Sequence, residues 1–477
     1  MIDSRFFRQE CYIDGAWIGA DETIPVDNPA TGEVIGTVPK FARKETAKAI
    51  DAAHAAFADW RGRPAAERAA YCLKIHDALM ANQEELGRLL TIEMGKPLAE
   101  AKGEVAYAAA FFKWFGEEAR RVYGDVVPSP WADKRIVVTK EPVGVVGSIT
   151  PWNFPTAMIA RKAAAALAAG CTVVAKPASQ TPYSALAYGV IAEEIGLPKG
   201  VLNILTGSAA AIGDELCENP KVRKITFTGS TPVGKELASK ATKHMKRVSM
   251  ELGGNAPFIV FDDADLDRAV AGAVASKYRN SGQTCVCSNR IYVQAGVYDV
   301  FAEKLAAAAK ALKVGDGLEP GVQQGPLIDE AGVRKVEEHI EDATKKGAKV
   351  ILGGKRREGL WFEPTVLTGV TADMLVAREE TFGPLAPLFR FETEEEAIRL
   401  ANDTEYGLAA YFYTRDLGRA FRVMEALEYG IVGVNEGIIS TEVAPFGGVK
   451  DSGMGREGSK YGLDDYLNIK YGLIGGL

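Results

Sequence analysis

Residues 143–177, VGVVGSITPWNFPTAMIARKAAAALAAGCTVVAKP, decide the fold. VGVVGSI is a short apolar run that stops at the turn-rich TPWNFP. AMIARKAAAALAAG is a helix pattern ended by Gly170, and CTVVAKP is a second short apolar run. Continuous apolar strands separated by helices predict a parallel sheet covered on both faces. Such sheets bind ligands beyond the carboxyl ends of their strands. The alternation continues: SALAYGVIAEEIG predicts a helix, VLNIL a strand, AAIGDELC a helix, KITFTG a strand, and another helix opens at about Thr231. It resumes after Glu251 with APFIVF, a helix from about Ala264 to Asn280, RIYVQ, LAAYFYT, a helix through LGRAFRVMEALE, and GIVGVN, which predicts a second α/β unit. Upstream, a short β-like start gives way to ETAKAIDAAHAAFADW and PAAERAAYCLKIHDALMANQEELGRLL, both with apolar positions at helical spacing. The C-terminal KYGLDDYLNIKYGLIGGL is aromatic, β-prone and too small for a domain, so it reads as an arm that pairs with another segment.

The composition agrees with several globular domains: 477 residues, 47% hydrophobic and 25% charged, at roughly 100–200 residues per domain. It argues against disordered, collagenous and coiled-coil chains. The longest apolar run, between Lys162 and Lys176, falls short of the roughly 20 residues a membrane span needs. MIDSRFFRQECYIDG lacks the apolar core of a secretory signal, so a cytoplasmic protein with no membrane partner is expected. A net charge of -7 offers no basic face to nucleic acid. Six cysteines without a CxxC, and four scattered histidines, form neither a disulfide framework nor a metal site, which predicts a reduced compartment and no metal.

Two near-motifs mislead. GSTPVGKE, from Gly229, resembles a phosphate-binding loop but has Glu236 where magnesium needs Ser or Thr. GMGREG, 453–458, fits a dinucleotide fingerprint by spacing, yet no strand precedes it and too little chain follows, so it reads as a loop. Other residues carry more chemistry. Cys285, in NSGQTCVCSNR, follows Ser281 and Gly282, whose small size lets a substrate approach; taken singly it reads as a nucleophile or as a buried structural thiol. Glu251 ends a β-like run before Gly-Gly, where burial would lift a carboxyl toward a useful base. Asn153, between prolines and aromatics in PWNFP, is held to donate to an oxyanion or to satisfy its own turn. Lys176 ends a strand within reach of a ribose or phosphate, or snorkels to solvent. Gly229 and Ser230 precede a helix N-terminus suited to a pyrophosphate.

PWNFP, KPASQTP, FTGST, MELGG, GQTC, EETFGP and PFGGVKDSG stand in this order along essentially the whole chain, which resembles the aldehyde dehydrogenase superfamily. The resemblance implies an α/β fold with a Rossmann-like nicotinamide-binding domain (1–121 and 141–251), an α/β catalytic domain (252–445) and a β oligomerisation arm (122–140 and 446–477) in a homodimer or homotetramer. It implies Cys285 as nucleophile, Glu251 as base and Asn153 as oxyanion donor. Lys176, Pro177, Ala178 and Ser179 would face the adenosine ribose, and Gly229 and Ser230 the pyrophosphate. Glu380 would hold the nicotinamide ribose, with Phe382 nearby and Trp152 and Leu252 lining the nicotinamide end.

NSGQTCVCSNRIYVQAGVYD, GIVGVNEGII and GREGSKYGLDDYLNIKY are most similar to the succinate-semialdehyde dehydrogenase branch. There, two arginines and a serine clamp the distal carboxylate; Arg161, Arg279 and Ser440 match. Glutarate semialdehyde, one carbon longer, would meet the same clamp and differ by only ~1–3 kcal/mol. Serine at 179 does not repel the 2′-phosphate of NADP as a glutamate would, so NADP is expected ahead of NAD. Cys287 resembles a residue that in some members pairs with the nucleophile, although bridging Cys285 two positions away would strain the ring. Competing classes fit less well: a cysteine hydrolase needs a neighbouring His, an acylating aldehyde dehydrogenase generally lacks Glu251, and a structural protein would have lost the catalytic set.

Overall fold

The apolar runs pair as two separate sheets in the computed structural model, which describes residues 4–477. The centre of the first is parallel, in the order Arg247–Glu251, Val222–Thr228, Val145–Ile149, Thr172–Lys176, Leu202–Ile204. Short antiparallel strands extend its edges: Gly453–Met454 beside Arg247–Glu251, and Cys11–Ile13 with Ala16–Ile18 beyond Leu202–Ile204. Every residue of Thr172–Lys176 is buried, which is why the run is apolar without alternation.

The helix Pro155–Ala169 is also buried at every residue. Proline at its first turn gives up only an N–H that no helix bond needs. Its alanines let neighbours approach, and Val105, Ala108, Phe112 and Phe115 of the helix Leu98–Glu118 share its core. The second sheet runs Lys349–Leu352, Thr365–Thr368, Leu385–Phe391, Ser288–Gln294, Ala256–Val260, Ala409–Tyr413, Ile431–Val434, all parallel except the first. Two smaller β elements are separate: the ribbon Thr23–Asp27 with Val34–Pro39, and a three-stranded sheet. In the latter, Leu467–Gly475 pairs antiparallel with Lys134–Pro142 along its full length, with Asp125–Val127 beyond.

Two sequence expectations shift. Residues 446–477 do not all enter the three-stranded sheet. Gly453–Met454 caps the otherwise open edge at Arg247–Glu251, and Phe446 packs into the core beside the second sheet. The helix expected to reach Asn280 ends at Tyr278, because Asn280 and Ser281 take left-handed φ of 52° and 58°. No helix among the described residues is long and apolar enough to cross a membrane.

Candidate active site

Four parallel strands of the first sheet end at one level: Ile149 pairs with Lys176 and with Phe227, and Thr228 with Glu251. That register gathers PWNFP, KPAS, FTGS and ELGG along one edge. The chain then crosses to the second sheet, where Cys285 precedes Ser288–Gln294 and Glu380 precedes Leu385–Phe391, so both sit at the amino ends of those strands. The crossing is tight. A Cβ on Gly254 would lie 2.5 Å from the Cys285 carbonyl oxygen, and one on Gly282 would lie 2.1 Å from that of Gly383. Glycine at these two positions lets the cysteine loop touch both the ELGG turn and the EETFGP loop.

Two cavities meet at Cys285. One, of about 290 Å³, is lined by Arg161, Arg279, Ser440, Tyr107 and Phe446 together with Cys285. The other, of about 260 Å³, is lined by Trp152, Asn153, Gly229, Ser230, Leu252, Gly253, Glu380 and Phe382, again with Cys285. Of the side chains expected at the adenosine end, Lys176, Pro177, Ala178 and Ser179 lie outside these walls, at and just past the end of Thr172–Lys176. A sequence profile for the aldehyde dehydrogenase family matches residues 17–471.

The chain belongs to the aldehyde dehydrogenase family. It is 62% identical to a glutarate-semialdehyde dehydrogenase of Pseudomonas aeruginosa, over 100% of this chain and 99% of the relative. It is equally 62% identical to the NADP(+) succinate-semialdehyde dehydrogenase of Escherichia coli, over 99% of each. The crystal structure of a succinate-semialdehyde dehydrogenase from Burkholderia pseudomallei superposes with a TM-score of 0.98 at 61% identity, covering 100% of both chains. The protein is therefore an NAD(P)-dependent aldehyde dehydrogenase.

In this aldehyde dehydrogenase the walls of the cavity that bears Glu380 have the chemistry to fit a nicotinamide ribose and ring. Trp152 and Phe382 meet edge to face at 5.4 Å, making an apolar slot. Glu380 is anchored by one oxygen, which accepts the Gly254 N–H at 3.2 Å, while burial pushes its carboxyl up to about 8. Lys176 is pushed down to about 8 by burial.

The expected chemical groups sit in unlike environments. Asn153 is 3% exposed, and its Nδ2 donates to the Gln283 carbonyl at 3.0 Å, which aims the amide along the cysteine loop. Burial pushes the Cys285 thiol up to about 12; Arg161 pulls it down, while Glu380 and Glu251 raise it. Glu251 is 3% exposed, and both carboxyl oxygens are buried with no hydrogen-bond partner among the described residues. Burial, reinforced by Glu457, holds it well above the usual carboxylate range. Its side chain borders neither cavity, although Leu252 and Gly253 beside it do. Cys287 is wholly buried, borders neither cavity, and donates to the Lys277 carbonyl at 3.4 Å, so a bond to Cys285 would require the loop to rearrange. All six cysteines are free.

Two buried ion pairs that motif reading misses support these groups. Lys96 Nζ lies 2.5 Å from Glu104 Oε2, donates to the Asn153 carbonyl at 2.7 Å, and sits 3.8 Å above the Phe154 ring. Glu104 Oε1 accepts the N–H groups of Thr156 and Ala157 at 2.9 and 3.1 Å, capping the helix Pro155–Ala169. The available signal is Glu104 itself, a charge on the apolar stripe of Ala101, Val105 and Ala108. The second pair centres on Glu457, inside the glycine-rich GMGREG. It pairs with Lys162, and its Oε2 lies 2.6 Å from Arg161 Nε in a geometry that falls short of a hydrogen bond. Arg161 also stacks 3.9 Å above Phe446.

Proposed function

We propose that this enzyme oxidises an ω-semialdehyde acid, succinate semialdehyde foremost, and takes NADP ahead of NAD. The observation that carries the reading is Cys285 at the junction of two cavities, one bearing Arg161, Arg279 and Ser440 and the other bearing Glu380, Trp152 and Phe382. A cavity with two guanidiniums and a hydroxyl suits a distal carboxylate. The E. coli relative's name supports that substrate and NADP, and Ser179 leaves room for a 2′-phosphate. The name of the P. aeruginosa relative supports glutarate semialdehyde as a second reading of the same pocket.

In this reading the Cys285 thiolate adds to the aldehyde carbon, and the Asn153 amide with the Cys285 N–H holds the oxyanion. Gly229, Ser230, Glu380 and Phe382 would hold NAD(P)+ in the second cavity, where it would accept the hydride lost from the Cys285-bound carbon as the thioester forms. Glu251, turned from its buried position, takes a proton from the water that attacks the thioester, and Cys285 departs as the thiolate. The first sheet with its helices is the proposed cofactor domain, the second sheet the catalytic domain, and Leu467–Gly475 with Lys134–Pro142 an oligomerisation arm. A reducing cytoplasm suits six free thiols.

The test follows reduced nicotinamide with succinate semialdehyde and with butanal, which lacks the carboxylate. A preference for the acid of about 100-fold in kcat/KM is expected, as for ~1–3 kcal/mol at each unpaired buried donor. Butanal turning over as well as the acid overturns the substrate assignment. NAD outperforming NADP overturns the cofactor preference.

A further inference from the structure

The arginine-bearing cavity holds more unused hydrogen-bonding capacity than its two guanidiniums supply. Among its wall residues, Arg161 Nη2, Thr284 Oγ1 and the Tyr107 hydroxyl are buried without a hydrogen-bond partner among the described residues. Thr284 adjoins the nucleophile. Tyr107 does not: it rises from the helix Leu98–Glu118, held edge-on against Phe111 at 5.0 Å. Both Arg161 and Arg279 act electrostatically on its phenol, so the hydroxyl lies in the field of the two guanidiniums. A buried hydroxyl left unpaired costs ~1–3 kcal/mol, so a residue kept in this state points to a partner that arrives with the substrate.

The charges lining the cavity explain why a neutral donor is useful there. Arg161 shares Glu457 with Lys162, and Lys96 behind the wall is offset by Glu104. Glu100, also in the wall, accepts the Asn280 N–H at 2.8 Å beside Arg279. The carboxylates offset part of the positive charge, so an anion there is held by directed hydrogen bonds as well as by Coulomb attraction.

We propose that Tyr107 is a specificity-determining residue whose hydroxyl donates a hydrogen bond to the distal anionic group of the substrate, as a third donor beside Arg161 and Arg279. This rests on the proposed anion-binding role of the cavity. A third donor that adds no charge suits a singly charged distal anion.

The variant is Tyr107→Phe, which removes one oxygen and keeps the ring against Phe111. Three quantities are measured on parent and variant: kcat/KM for succinate semialdehyde, kcat/KM for butanal, and inhibition by succinate of butanal oxidation. The expected result is a loss of about 10- to 100-fold for the acid, carried mainly by KM, and a matching weakening of succinate inhibition, as for one lost hydrogen bond to a charged group. Butanal oxidation, which offers the hydroxyl no anion, should fall by much less than oxidation of the acid. Equal losses on both aldehydes would mean that Tyr107 serves the fold or the chemical step. An unchanged acid preference would mean that it makes no substrate contact; either result overturns the proposal. If the parent itself shows no preference for the acid, the anion-site reading fails and takes this proposal with it. If the parent shows the preference, Arg279→Leu abolishes it and Tyr107→Phe does not, the Tyr107 assignment alone fails.

Discussion

Replacing Lys96 by methionine tests how the PWNFP turn is held. The lysine and Glu104 have side chains 0% and 1% exposed, with Nζ 2.5 Å from Oε2, and the same ammonium donates to the Asn153 carbonyl at 2.7 Å. Methionine nearly keeps the volume but strands a buried carboxylate, a loss of about 3–5 kcal/mol. The lost bond to Asn153 belongs to the same network and is not added separately. At about 2–4 °C per kcal/mol for a unit of 150–250 residues, Tm should fall by about 6–20 °C. Asn153, losing a backbone anchor, should slip within the site, and a displacement of about 1 Å costs kcat on the order of 100-fold. The decisive comparison is with the double variant that adds Glu104→Gln, which keeps an acceptor for Thr156 and Ala157 and removes the stranded charge. It should be more stable than Lys96→Met alone, with a coupling of about 0.5–3 kcal/mol. Thermal unfolding by circular dichroism gives Tm, and rates are compared at a temperature where all variants are folded. The reasoning is refuted if the two single shifts simply add, or if Lys96→Met changes neither Tm nor kcat.

Four further outcomes are expected. Glu251 must lose its proton to accept one from water, and its carboxyl is held above the ordinary range, so kcat should rise with pH well above the ~4.3 of a free glutamate. Glu457→Gln removes the neighbouring negative charge and should move that limb to lower pH in a kcat profile; an unmoved limb excludes the coupling. Gly282→Ala, whose Cβ would lie 2.1 Å from the Gly383 oxygen at a φ of +76°, should push the Cys285 and Glu380 loops apart and lower kcat/KM by about 100-fold; near-normal kinetics would mean that the loops can separate freely. His339→Phe removes the contact with Thr381 Oγ1 at 3.0 Å behind Glu380, and should raise the cofactor KM while leaving the ratio of acid to butanal rates unchanged. Deleting residues 467–477 bares the strand Lys134–Pro142, and light scattering after gel filtration should find a changed assembly mass; an unchanged mass argues against the arm's role in oligomerisation.

The strand ends of the first sheet are legible because runs such as VGVVGSI and CTVVAKP are apolar throughout and stop at turn residues, and burial on both faces leaves that trace. The meeting of Cys285 with Arg161 and Ser440 is legible only through family resemblance, since no local spacing links positions so far apart, whereas Arg279 stands six residues before Cys285. What escapes depends on contacts distant in sequence. Lys96 gains its meaning from Asn153, and Glu457 from Arg161 and Lys162, so each reads locally as an ordinary surface charge or a loop residue. The end of the helix before Cys285 escapes for another reason. Hydrophobic periodicity counts side-chain faces and is blind to the left-handed turn at Asn280 and Ser281. Gly453–Met454 is too short to leave any pattern, and its pairing exists only because Arg247–Glu251 has an edge to cover.

That edge pairing sets a timetable for synthesis. A ribosome delivers Asn153, Glu251 and Cys285 long before Gly453, Met454 and Glu457. From Glu251 to Glu457 the wait is about 10–40 s at roughly 5–20 residues per second. Throughout it, Arg161 and Lys162 on a helix destined for complete burial have no counter-charge, and the strand Arg247–Glu251 has one side open. An uncovered strand edge is a template for pairing with another chain. The nascent protein therefore carries the residues of its chemistry early but its closing pieces late.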